Sequence, residues 1–101
     1  MTVYNKLVRD KIPKYIQSKG GTPKFHVADE TEYRIKLFEK LIEETKEFKE
    51  AGSLEECADV LEVLDVLITF LHFDQKELQS VRLKKRDERG GFQKRIILEE
   101  S

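Results

Sequence analysis

Glu43-Glu44-Thr45-Lys46-Glu47-Phe48-Lys49-Glu50-Ala51-Gly52-Ser53-Leu54-Glu55-Glu56-Cys57-Ala58-Asp59 is the stretch that decides the fold. A helical period runs into it and stops at Gly52, the residue type that most readily ends a helix in left-handed backbone. Ser53 opens a second helix at once, with Glu56 at the capping-box spacing three residues later. A link this short turns the chain back on itself, so the two helices are expected to lie antiparallel.

Working outward, the first long helix is predicted to start near Asp29 to Thr31. Asp29 or Thr31 can cap it, and Glu32 sits one capping-box spacing after Asp29. The second is predicted to run to about His72. Asp74 then caps a shorter helix over Lys76 to about Lys85, and Gly90-Gly91 ends the helical pattern. Phe92 to Leu98 reads as an extended or irregular tail. Upstream, Asn5 to Lys19 holds a short helix with Pro13 in its first turn, where proline is tolerated. Gly20-Gly21-Thr22-Pro23 breaks the chain, and Lys24 to Ala28 is ambiguous. The whole is an all-α pattern in one domain of 101 residues. Two long helices cannot enclose a core alone, so they must pack on the rest of the chain or on another subunit.

Hydrophobic and charged residues each make up 39% of the chain, and the net charge is -1. That balance excludes a general electrostatic attraction to nucleic acid or membrane. The distribution is uneven. Residues 28–65 hold 13 acids and 5 bases, whereas residues 82–95 hold 7 bases and 2 acids. Residues 1–15 hold 4 bases and 1 acid. Basic ends folded over an acidic middle would line one cleft with carboxylates and cations, as a metal-bound polyphosphate requires. Balanced surface charge is the plainer alternative. The lone Cys57 excludes an intrachain disulfide. Val60 to Phe73 is apolar but carries Glu62 and Asp65 and is too short to cross a bilayer. No stretch resembles a signal peptide, so the expected location is the cytoplasm.

Certain acids fall on apolar faces. At about 100° per residue, Tyr33, Leu37, Leu41, Phe48 and Ala51 form one stripe, with Glu44 inside it and Glu47 one turn on at its edge. In the next helix, apolar nearly all round, Asp59 falls in the arc of Val63, Val66 and Phe70. Glu56 lies one turn before it. An unpaired buried carboxylate costs on the order of 2–7 kcal/mol or more. Basic partners, protonation or a hard cation could compensate, and few bases are expected on that face. Four carboxylates without a nearby His or Cys favour Mg²⁺ or Mn²⁺ over Zn²⁺. Acids at the solvent edge of a bundle are the competing reading.

Glu43-Glu44-x-x-Glu47 followed by Glu56-x-x-Asp59 resembles the metal-binding motif of the all-α NTP pyrophosphohydrolase superfamily. That superfamily includes MazG, dimeric dUTPases and phosphoribosyl-ATP pyrophosphohydrolase. The opening Tyr4-Asn5-Lys6-Leu7-Val8-Arg9-Asp10-Lys11-Ile12-Pro13 is similar to a MazG-like branch, as is the closing Lys85-Arg86-Asp87-Glu88-Arg89-Gly90-Gly91-Phe92. Three blocks in order are more specific than the acids alone. Only eight residues separate Glu47 from Glu56. Pairing with Glu62 and Asp65 would lengthen that gap, but Asp65 faces away from Asp59; Glu62 stays a candidate extra ligand.

The resemblance implies an antiparallel helical bundle of the MazG-like type, completed by a homodimer or homotetramer. It implies Mg²⁺-dependent cleavage of nucleoside triphosphates to monophosphate and pyrophosphate, in a house-cleaning or pool-controlling role. Glu44, Glu47, Glu56 and Asp59 would hold the metal. Glu43, Glu44 or the metal would activate water. Lys6, Arg9, Lys85, Arg86 and Arg89 would grip phosphates, and arginine suits bidentate contact. Other readings are a related phosphoanhydride substrate such as phosphoribosyl-ATP, a non-enzymatic helical interaction protein, or RNA binding by the short basic tail.

Overall fold

A computed structural model describes residues 4–101. Four helices follow one another: α1 Ile12–Ser18, α2 Glu30–Ala51, α3 Leu54–Phe70 and α4 Gln75–Arg89. The described residues contain no strand.

Each long helix starts where a short polar side chain can satisfy a free backbone N–H. Asp29 accepts from the Glu32 amide at 2.9 Å, Ser53 from the Glu56 amide at 3.3 Å, and Asp74 from the Glu77 amide at 2.9 Å. The capping boxes are only half made among the described residues. The Glu32 carboxylate meets His26 at 2.8 Å instead, and that of Glu56 turns toward other acids. Gly52 ends α2 at φ 60°, with its N–H bonded to the Phe48 carbonyl at 2.7 Å. The turn sets α2 and α3 side by side as the dominant helix pair.

Two element ends differ from expectation. The second long helix, α3, stops at Phe70 rather than His72, because His72 takes φ 60° in the turn. Helix α4 continues to Arg89 rather than Lys85. Nothing before Gly90 breaks it, and Arg86 and Arg89 in its last turn complement the helix dipole.

The core is small. Leu37 on α2 and Leu67 on α3 are the buried apolar residues, and Tyr33 stacks at a tilt on Phe70, 5.2 Å between centroids. The radius of gyration is 18.0 Å, against about 13 Å for a compact chain of this length. Neither α1 nor α4 closes over the hairpin, and α4 buries none of its residues. Ile35, Phe38 and Ile42 form an exposed apolar stripe on α2, and Leu54, Leu61 and Leu64 form another on α3. No helix among the described residues is long and apolar enough to cross a membrane.

Gly52 has open space where a Cβ would sit, so its requirement is conformational rather than steric. Gly52→Ala should therefore cost about 1–2 kcal/mol, read as a lower urea midpoint at unchanged slope.

Candidate metal centre

The hairpin brings five carboxylates together near its turn. Glu43, Glu44 and Glu47 from α2 form one group, and Glu44 joins Glu56 and Asp59 from α3 in another. Within each group the oxygens lie within 4.8 Å of one another, so each could grip one cation. Glu44 belongs to both. It is the one buried charged residue among those described, 7% exposed. Its position follows from the period of α2, which places it two turns beyond Leu37 on the face packed against α3.

Glu44 Oε1 has a partner that the sequence reading missed: the Lys40 ammonium at 3.2 Å, four residues earlier on the same face. Lys40 also approaches Glu43 at 3.6 Å, and its side chain is only 16% exposed. The expectation of few bases on this face was therefore incomplete. Lys40 lies at helix-neighbour spacing from both acids, the signal that could have revealed it. Glu44 Oε2 and Glu56 Oε2 are buried without a hydrogen-bond partner among the described residues.

The N-terminal segment lies across these acids. Lys6 reaches Glu43 at 3.0 Å and Arg9 reaches Asp59 at 2.7 Å. Lys36 holds the segment's backbone by donating to the Asn5 carbonyl at 2.8 Å. The other basic end behaves differently. Lys85, Arg86 and Arg89 stand exposed on α4, and none pairs with an acid of the cluster. Glu62 is exposed and outside both acidic groups. Asp65 lines a separate open pocket with Tyr33, Thr69 and Phe70.

The electrostatics reflect this arrangement. The hydrogen bond from Lys6 holds the Glu43 carboxyl below its ordinary value, helped by the Lys40 charge. The same bond raises the Lys6 ammonium. Glu47 is pushed up, chiefly by the charge of Glu44. Among the described residues five carboxylates thus meet three cations, Lys6, Arg9 and Lys40. The shortfall of two positive charges is that of one divalent ion. Two buried oxygens without partners in an all-carboxylate set fit a hard cation such as Mg²⁺ or Mn²⁺.

The chain matches no protein-family model, no curated protein and no solved structure.

Because folding raises the Glu47 pKa, its charge costs stability at neutral pH; the cost fades as pH falls through the raised folded value and is gone below the unfolded one. Glu47→Gln should raise the metal-free melting temperature only slightly, because the exposed side chain is screened by water. The same variant should lose most of the rise that Mg²⁺ gives the wild type, both read by thermal unfolding with and without the ion.

Proposed function

We propose that this chain is a divalent-cation-dependent nucleoside triphosphate pyrophosphohydrolase of the MazG-like type, releasing monophosphate and pyrophosphate. The observation that carries this reading is the buried, partnerless oxygen of Glu44 among four further carboxylates, with Lys6 and Arg9 laid against them. Acids for a cation beside bases for phosphates is the combination polyphosphate cleavage needs. The block order at both ends of the chain points the same way.

Glu44, Glu47, Glu56 and Asp59 hold Mg²⁺ or Mn²⁺, which supplies charge neutralisation for phosphate oxygens. Lys6 and Arg9 engage the phosphates from the N-terminal side. Lys6 and Lys40 keep Glu43 ionised, the state in which a carboxylate accepts hydrogen bonds from a water and aims it. Lys40 stays with Glu44 and fixes its rotamer. Lys85, Arg86 and Arg89 are unpaired with the acids of their own chain, so they join the site in an assembly.

That assembly is a homo-oligomer. The stripes on α2 and α3 leave a hairpin that buries two apolar residues alone, and a second copy offers matching faces for a helical bundle. The same stripes favour the competing reading, a helical interaction module without catalysis.

A panel of nucleoside triphosphates assayed for pyrophosphate separates the two. Release should require Mg²⁺ or Mn²⁺ and fall about 100-fold or more in Glu44→Gln and Asp59→Asn, with helical circular dichroism retained. No release from any triphosphate, or full activity in both variants, would reject the assignment. Independently, Ile42→Glu on the α2 stripe should shift the protein from oligomer toward monomer in sedimentation equilibrium.

A further inference from the structure

Arg9 touches a carboxylate that the proposed function assigns to the cation. Its guanidinium Nη2 lies 2.7 Å from Asp59 Oδ1, and no other side-chain partner holds it among the described residues. Its side chain is 60% exposed, and an ion pair this open to water is weak and readily exchanged. The backbone around it is fixed. Lys36 donates to the Asn5 carbonyl on one side, and on the other the Ile12 amide donates to the Arg9 carbonyl at 3.0 Å. A tethered backbone with a solvent-exposed charged tip lets the guanidinium change partner without moving the chain. Lys40 is the contrast, half-buried and shared between Glu43 and Glu44.

We propose that Arg9 is an exchangeable counter-ion: it neutralises Asp59 in the metal-free protein and passes to a substrate phosphate when a divalent ion takes that carboxylate. This rests on reading the acidic cluster as a cation site, which the buried partnerless Glu44 Oε2 supports apart from Arg9. The chemistry suits the exchange, because guanidinium binds carboxylate and phosphate with the same planar donor pair. Arg9 and the metal compete for Asp59, so the free protein binds metal below its full strength. A polyphosphate draws Arg9 away and removes the competition. Metal and nucleotide therefore strengthen each other's binding, by equal factors as linkage requires.

Mn²⁺ titration by calorimetry tests this on the wild type, Arg9→Ala and Arg9→Lys, each with and without the α,β-methylene analogue of ATP. Without nucleotide, Arg9→Ala should bind Mn²⁺ about two- to fivefold more tightly than wild type, and Arg9→Lys should fall between them. With the analogue, Arg9→Ala should show a smaller gain in Mn²⁺ affinity than wild type and weaker binding of the analogue. Unchanged or weaker Mn²⁺ binding by Arg9→Ala, with helical content intact, overturns the exchange and leaves the metal site standing. If neither protein takes up Mn²⁺, the metal site and the exchange fall together. Arg9→Gln provides a second neutral variant held to the same outcomes.

Discussion

A carboxylate inside a two-helix seam is the constraint around which the molecule is arranged. Glu44 sits where a leucine would pack, two turns from Leu37, and leaves one oxygen buried without a partner. A lone charge there would be intolerable, and its surroundings answer in layers. Lys40 pairs with Oε1 from the same helix. Lys6 and Arg9 come from far along the chain to pair with its neighbours Glu43 and Asp59. What they leave is a deficit shared by Glu44, Glu47 and Glu56, and the raised Glu47 carboxyl is its visible sign.

The small core follows from the same economy. With a charged residue in the seam, α2 and α3 bury few apolar side chains against each other, and their outer faces stay apolar. Stability in such a chain leans on the helix caps and on the Gly52 turn. The outer stripes of α2 and α3 remain open, and the basic α4 buries none of its residues.

Much of this was legible in the residues. Asp29, Ser53, Gly52 and Asp74 marked helix ends because their local chemistry satisfies backbone groups without help from the rest of the fold. The meeting of Glu44 with Glu56 and Asp59 was readable for a similar reason, since helix period and a short turn suffice to bring them together, whereas Glu47, expected in the same set, groups with Glu43 and Glu44 instead. Lys40 was equally local but was overlooked, since a lysine on a charged helix looks solvated until its stem is seen to lie along the seam. The pairings of Lys6 and Arg9 depend on how a loop crosses two helices, which no period encodes. Lys85, Arg86 and Arg89 stand exposed on α4, apart from the acids, and their spacing carried no signal of that separation.

The Gly52-Ser53 turn carries a consequence for the order in which the molecule is made. All five carboxylates lie within residues 43–59, so the acidic half of the centre needs only short-range loop closure, the kind that forms fastest. The pairings of Lys6 and Arg9 span 37 and 50 residues. Although the N-terminal segment leaves the ribosome first, it must wait for the hairpin before it has anything to grip. During that interval Lys40 is the cation that pairs with Glu43 and Glu44 from within the hairpin itself, so the earliest charge balance of the acids is helix-local.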